Sequence, residues 1–163
     1  MTERDSNMIY TSRYQNHELR SGLYTVVGIT RGAPRFALGY TLAGNILDIA
    51  PPSWLFNENN RSIFTQKYCQ NIQAIGVKRL TDILTGYTQL GKDLVLCCYE
   101  DVRKPNEWCH RLVFAEWWKE QTGEIIPELH DQSTPAAAKP CRVDGAQKEV
   151  ASPKDTSFQL SLV

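Results

Sequence analysis

The chain has 163 residues and equal numbers of acidic and basic side chains, so its formal net charge is zero. A neutral chain lacks the positive field that drives tight non-specific binding to DNA, so any contact with nucleic acid must be local. Hydrophobic residues make up 42% of the chain, which is enough for a core. No apolar run approaches the roughly 18 residues of a membrane span, so we expect no membrane contact.

The N-terminus and the cysteines indicate a cellular compartment. The start of the chain, MTERDSNMIY, is polar and lacks the apolar segment of a signal peptide. The five cysteines are not spaced as in a small secreted protein. These features predict a cytoplasmic protein with reduced thiols.

Two strands are predicted near the N-terminus, a short one over 8–14 and a stronger one over 22–30 that is apolar on both faces. The second strand leads into a Gly/Pro loop that carries Arg31 and Arg35. The mixed segment 36–56 predicts a short helix or irregular turn, which ends at Pro51 and Pro52.

Helical spacing follows in 61–90. Asn59 and Asn60 are possible caps for a first helix, Gly76 interrupts the pattern, and a second apolar stripe ends near Gly91. The first stripe contains Phe64, Tyr68, Ile72 and Ile75, and the second contains Val77, Leu80, Ile83, Leu84 and Tyr87.

Residues 93–100 predict a strand with two apolar faces, which is typical of the centre of a parallel or mixed sheet. A nearly all-apolar helix is expected over 109–123, and 124–129 could form a last strand that Pro127 confines to an edge. Strands alternating with helices in this order predict a small three-layer α/β domain over residues 1–129.

Ligands of such domains bind beyond the carboxyl ends of the strands, where the sequence places two polar loops. Cys98 and Glu100 end one predicted strand, and Cys109, His110 and Arg111 begin the next helix. A helix start stabilises a thiolate or a bound phosphate. We therefore expect Cys109 or Cys98 as a nucleophile, Glu100 and His110 for proton transfer, and Arg111 as an anion donor.

Arginines elsewhere complete the predicted site. Arg31 is expected to bind a phosphate or another anion, with Arg13 and Arg35 as secondary contacts. Base or glycosidic-bond chemistry through Glu100 and cysteine chemistry both stay open.

Structural roles are the alternative for the same residues. Cys98 could be a small core residue, and Glu100 could form an ion pair with Arg111. Zinc binding by Cys98, Cys109 and His110 is disfavoured, because the spacing is not that of a paired CxxC motif and adjacent Cys-His ligands are awkward. The sequence thus predicts no metal and no cofactor.

Three stretches, IYTSRY, VGITRGAP and GKDLVLCCYEDVRKPNEWCHRLVFAEWW, together resemble the bacterial and phage family called domain of unknown function 488. The resemblance spans roughly residues 8–128. Its most specific part is a C-x-E … C-H-R block, formed here by Cys98, Glu100, Cys109, His110 and Arg111. The resemblance implies an α/β fold with an active or ligand site at this block, and the loop between Glu100 and Cys109 is longer than in many relatives.

The last 34 residues differ in composition from the rest. Residues 130–157 are rich in Pro, Ala, Ser, Lys and Asp, which predicts a disordered linker. The final stretch, 158–163, contains QLSLV, which resembles the pentapeptide that binds the bacterial DNA sliding clamp. Gln159, Leu160, Ser161 and Leu162 match that peptide, whereas Val163 replaces a large aromatic anchor; alternatively, this stretch folds back on the sheet as a strand.

These features predict an enzyme that acts on nucleotides or nucleic acid and is tethered by its tail to the sliding clamp. Tethering raises the local concentration of a neutral protein near DNA without new contacts. The alternative is a non-catalytic adaptor that binds a nucleotide or nucleic acid, in which the Cys/His/Arg cluster is structural.

Overall fold

The computed structural model describes residues 6–136, which form a parallel sheet with three α-helices. The strands are β1 (Ile9–Arg13), β2 (Tyr24–Gly28), β3 (Gly44–Asn45) and β4 (Asp93–Cys98). They lie in the order β1-β4-β2-β3, and every neighbouring pair is parallel. The predicted α/β class is confirmed, and the carboxyl ends of these strands share one edge.

Strand β4 is central, as its two apolar faces predict. Leu94 pairs with Ile9 of β1 on one side and with Thr25 of β2 on the other. Leu96 packs into the core on the helix side, and Val95 packs into the core on the opposite face. Both faces of β4 are therefore apolar, because neither face of a central parallel strand is exposed to water.

The helices are α1 (Arg61–Ile75), α2 (Val77–Thr88) and α3 (His110–Thr122). The Asn60 side chain accepts hydrogen bonds from the backbone N–H groups of Ser62 and Ile63, which fixes the start of α1. Gly76 has φ of +94° and turns the chain from α1 into α2. Within the described residues, no helix combines the length and apolarity needed to cross a membrane.

All three helices contribute to one apolar core on one face of the sheet. The opposite face is covered by a 3-10 helix at His17–Ser21, the loop from Leu38 to Leu42, and Leu129. The third layer is therefore built from loops and one short 3-10 helix, since the connection from β1 to β2 is too short for a long helix. In the mixed segment 36–56, the regular structure is β3 and a 3-10 helix at Ser53–Leu55.

The segment predicted as a last strand forms a single parallel bridge, Thr11 to Glu128, at the β1 edge. The chain continues to pack beyond residue 129. The His130 carbonyl accepts a hydrogen bond from Asn16, and Asp131 pairs with Arg13. The packed part thus extends a few residues past the boundary that composition predicts. Residues from 137 onward, with most of the predicted linker and the 158–163 peptide, lie outside the described residues.

Candidate active site

A cleft of about 470 Å³ opens where β2 and β4 end and α3 begins. Parallel strands bring the loop after β2 and the loop after β4 to the same edge, as the sequence predicts. Arg31, Glu100, Cys109 and His110 all line this cleft. These four residues are called the cleft cluster below.

Glu100 and His110 both contact Cys109 at the floor of the cleft. The Cys109 thiol donates a hydrogen bond to Glu100 Oε2 at 3.0 Å, and its sulfur lies 3.6 Å from His110 Nδ1. Cys109 is the N-cap residue of α3, and no side chain caps this helix start.

The tautomer of His110 follows from its buried partner. Nε2 lies 2.7 Å from the carbonyl oxygen of Ile29, which can only accept, so Nε2 carries the proton. Burial lowers the pKa of His110 to about 4, so the ring is neutral near pH 7 and Nδ1 offers a lone pair towards Cys109. The enclosure of the ring between α3 and the end of β2 therefore favours His110 as a hydrogen-bond acceptor over the predicted role in proton transfer.

Cys98 lies beneath the cleft rather than in it. It is fully buried and does not line the cleft, so it is not an accessible nucleophile. Its sulfur is in contact with that of Cys109, although the Cα atoms are 7.7 Å apart, beyond the usual disulfide range of about 4.4–6.8 Å. The structure joins Cys98 and Cys109 through their sulfurs, which departs from the predicted reduced thiols, whereas Cys69 and Cys97 are free. In the reduced protein both residues of the pair carry thiols, and the hydrogen bond from Cys109 to Glu100 belongs to that form.

Arg111 points away from the cleft, which corrects its predicted role as an anion donor. Arg111 is fully buried, and its guanidinium forms a salt bridge with Glu128 at 2.7 Å. The Nη1 group donates to Cys98 Sγ at 2.9 Å and to the Glu100 carbonyl at 2.8 Å. Arg111 thus joins the end of β4 to α3 and orients both Cys98 and the backbone of Glu100.

The other three predicted arginines, Arg31, Arg35 and Arg13, have different positions. Arg31 donates from Nε to the Pro51 carbonyl at 2.9 Å, and its Nη atoms form no hydrogen bond within residues 6–136. Arg35 is exposed and does not line the cleft. Arg13 lies on the β1 side and is paired with Asp131 at 2.6 Å. Arg31 alone of these three has the position expected of an anion contact, and the predicted roles of Arg13 and Arg35 in this cleft are not met.

The charges on the β1 side form what we call the edge network: Arg13, Asp101, Arg103 and Asp131. Arg103 binds Asp101 at 2.8 Å, and Arg13 lies 3.9 Å from the same carboxylate. The Arg103 side chain lowers the pKa of Asp101 to about 2, and hydrogen bonds from Arg13 and Ser133 lower the pKa of Asp131 despite its burial. This network holds the segment after residue 129 against the sheet.

Aromatic side chains form walls of the cleft that sequence reasoning missed. Phe64 and Trp108 are in edge contact with ring centroids 4.8 Å apart, and Phe56 and Tyr99 also line the cleft. Phe56 is 55% exposed and Tyr99 44% exposed. Tyr99 and Trp108 flank Glu100 and Cys109 in the sequence, and this adjacency was the available signal. Phe56 and Phe64 belong to a distant segment and carried no such signal.

The fold brings together three residues that could bind a metal ion. Spacing along the chain disfavours a zinc site, but the donor atoms of Cys98, Cys109 and His110 all lie within 4.8 Å of one another. The adjacent pair Cys109 and His110 converges because one residue precedes α3 in extended conformation and the other begins the helix. These three are the residues of 6–136 that could hold a metal ion together.

Comparison of the chain with models of protein families, with curated proteins and with solved structures finds no match. The resemblance to domain of unknown function 488 therefore stays a prediction, as does the clamp-binding peptide. The function has to be inferred from the chemistry of the cleft.

Proposed function

We propose that this chain is an enzyme that acts on a nucleotide, or on a nucleotide unit of a nucleic acid, bound in the cleft beyond β2 and β4. One observation carries the proposal: aromatic rings, a guanidinium and a carboxylate converge on the same open space. A nucleotide has a flat base, an anionic phosphate and bonds that proton transfer can activate. The cleft offers a partner for each of them.

The aromatic walls suit the base. Tyr99 and Phe56 present exposed ring area, and Trp108 forms an adjoining wall. A base stacked on an aromatic ring gains roughly 1–3 kcal/mol, and such stacking tolerates different bases. The cleft volume of about 470 Å³ also lies in the range usual for small-molecule sites.

The phosphate partner is Arg31. Its Nε is anchored on the Pro51 carbonyl, which holds the guanidinium at the mouth of the cleft while the Nη groups stay available. A guanidinium held in this way binds phosphate through two parallel hydrogen bonds. A single such contact fits a chain with zero net charge, because it requires no extended basic surface.

Glu100 is the group that would move protons. It is half-buried, and the described hydrogen bonds to its carboxylate come from the Cys109 thiol alone. A carboxylate with spare acceptor capacity beside a bound base can serve as general acid or base. His110 serves this proposal as a neutral acceptor, not as the titrating group.

A panel of nucleosides and nucleoside phosphates tests the proposal by calorimetric titration. We expect phosphorylated ligands to bind, and Arg31→Gln to weaken them by about tenfold, the equivalent of roughly 1.4 kcal/mol. Arg35→Gln is the matched control, since it removes the same charge from the same loop outside the cleft. Binding of no nucleotide, or equal losses from the two variants, would contradict the proposal.

The C-terminal peptide supports a second proposal, which is delivery of this enzyme to DNA by the bacterial sliding clamp. It rests on Gln159, Leu160, Ser161 and Leu162, with Val163 as a smaller anchor that weakens the contact. Pull-down with a purified clamp, with and without residues 158–163, tests it. Equal recovery after truncation removes the clamp from the proposal and leaves the cleft unaffected.

A further inference from the structure

We propose that Cys98, Cys109 and His110 bind one zinc ion at the floor of the cleft, with the fourth coordination position facing Glu100 and the bound ligand. The ion site follows from the three side chains themselves. The hydrolytic chemistry inferred for it below rests on the proposed function.

The donor set is that of a soft divalent ion. Two cysteine sulfurs and one imidazole nitrogen are the ligands that zinc takes in catalytic sites with an open position. Tetrahedral coordination with Zn–S near 2.3 Å and Zn–N near 2.1 Å puts ligand atoms about 3.6 Å apart. The distance from Cys109 Sγ to His110 Nδ1 is 3.6 Å, which meets this requirement without rearrangement.

The backbone spacing of the two cysteines favours a bridging ion over a disulfide. Their Cα atoms are 7.7 Å apart, wider than the range in which disulfides form without backbone movement. An ion between the sulfurs lengthens the path that joins the two Cα atoms. Rotation of the Cys98 side chain alone separates the sulfurs towards the roughly 3.8 Å that tetrahedral zinc requires, and it leaves the distance from Cys109 Sγ to His110 Nδ1 unchanged.

Hydrogen bonds behind the ligands are those that support a metal centre. Histidine ligands commonly donate their second ring N–H to a carbonyl or carboxylate, which fixes the ring and its tautomer. His110 Nε2 is so placed on the Ile29 carbonyl at 2.7 Å. Arg111 Nη1 lies 2.9 Å from Cys98 Sγ, and its charge stabilises the thiolate that metal binding requires.

Glu100 has the position of a proton carrier beside the ion rather than that of a fourth ligand. Its Oε2 lies 3.0 Å from Cys109 Sγ, but it is not among the donors that lie mutually within 4.8 Å. Zinc held by cysteine and histidine, with a glutamate that is not a ligand, is also the arrangement in enzymes that deaminate nucleobases.

The chemistry that zinc supplies is activation of water for hydrolysis. In that reaction the oxygen of water bonds to the attacked carbon of the nucleotide, and the bond from that carbon to the leaving group breaks. Glu100 takes a proton from the water and passes it to the leaving group, so that one water is consumed and no oxidant is needed.

Metal content tests the site independently of any substrate. The full chain is purified anaerobically with a phosphine reductant, loaded with zinc, desalted and analysed by mass spectrometry of the element. We expect about one zinc per chain, with loss of at least nine-tenths of it in Cys109→Ser and in His110→Gln. Cys69→Ser is the control and retains zinc, because Cys69 is a half-buried thiol on α1 outside the cleft.

The variant Glu100→Gln tests whether the fourth coordination position of the zinc ion is open. If Glu100 is not a ligand, this variant keeps its zinc, and loss of the ion from Glu100→Gln would overturn the fourth-position assignment. Cobalt titration of the unmodified chain covers the case in which a ligand variant fails to fold. Absorption bands of tetrahedral cobalt with thiolate ligands support the site, and their absence, or zinc below about one-tenth per chain, overturns it. Nucleotide binding that persists in zinc-free protein would leave the proposed function standing without this ion.

Discussion

The cleft cluster and the edge network occupy the same edge of one sheet, on opposite sides of the end of β4, and they differ in how fully their charges are paired. In the edge network, Arg13 lies 2.6 Å from Asp131 and Arg103 lies 2.8 Å from Asp101. In the cleft cluster, Arg31 binds a neutral carbonyl, and a thiol is the described donor to the Glu100 carboxylate. Paired charges hold a fold together, whereas charges with spare hydrogen-bonding capacity can bind something else.

Arg111 is the residue that sharpens this comparison most, because it belongs to the C-x-E … C-H-R block but has the contacts of a structural residue. Arg111→Met keeps the length of the side chain and removes its charge. It leaves Glu128 without its cation and Cys98 without a donor, and loss of one partner of a buried pair costs about 3–5 kcal/mol. Glu128 is 32% exposed, so we expect about 3 kcal/mol lower free energy of unfolding in urea.

Arg31→Met is the control for that experiment. Arg31 is exposed and binds one carbonyl, so its loss should change the free energy of unfolding by less than about 0.5 kcal/mol. Equal losses from Arg111→Met and Arg31→Met would end the division of this edge into a paired part and an available part.

Glu100→Gln tests the cleft cluster, where we expect a loss of activity rather than a loss of stability. We expect turnover of the nucleotide identified in the binding panel to fall by about 100-fold or more, since general acid–base groups contribute roughly 10²–10⁴. The urea midpoint should change little, because the amide still accepts from the Cys109 thiol. Glu107→Gln is the control, as Glu107 is an exposed carboxylate on the same cleft. Unchanged turnover in Glu100→Gln would favour the non-catalytic adaptor.

The edge network should appear in the acid stability of the protein. Arg103 lowers the pKa of Asp101 to about 2 in the folded chain, whereas a free aspartate titrates near 3.9. The folded-state pKa is depressed, so this contribution is present above about pH 4 and is lost as the pH falls towards 2. Its full size is about 2 kcal/mol.

Unfolding in urea at a series of pH values from 5 to about 2 measures this contribution. Asp101→Asn should lower stability at pH 5 and flatten the fall in stability below pH 4. If the variant and the unmodified chain lose stability in parallel between pH 4 and pH 2, the Asp101–Arg103 pair does not contribute as its distance indicates.

Apolar patterning predicted the elements on which the site stands. The two apolar faces of 93–98 identify the central strand, and Asn60 and Gly76 identify the ends of α1 through capping and positive φ. Because parallel strands end at one edge, the order of elements also predicted that Arg31 and Glu100 lie near each other. These inferences succeed because they depend on local periodicity and on a general property of parallel sheets.

The direction in which each side chain points could not be predicted from the sequence. His110 and Arg111 are adjacent on α3. The His110 ring lines the cleft, whereas the Arg111 side chain points the other way and pairs with Glu128. Which way each turns depends on partners distant in the sequence, the Ile29 carbonyl for one and Glu128 for the other. Phe56 is a similar case, because it ends a short 3-10 helix that packs against α1, and no periodic pattern in 36–56 predicts that packing.

The smallest expected effect tests whether pairing alone, without burial, marks a structural charge. Lys78 and Asp82 lie 3.0 Å apart one turn along α2, a distance like those in the edge network, but their side chains are 91% and 65% exposed. Water screens such a pair and the flexible side chains lose entropy on pairing, so Lys78→Ala should leave the urea midpoint within experimental error. A loss comparable to that of Asp101→Asn would mean that distance alone predicts stabilisation. A null result would instead show that the edge network is structural because its carboxylates are withdrawn from solvent as well as paired.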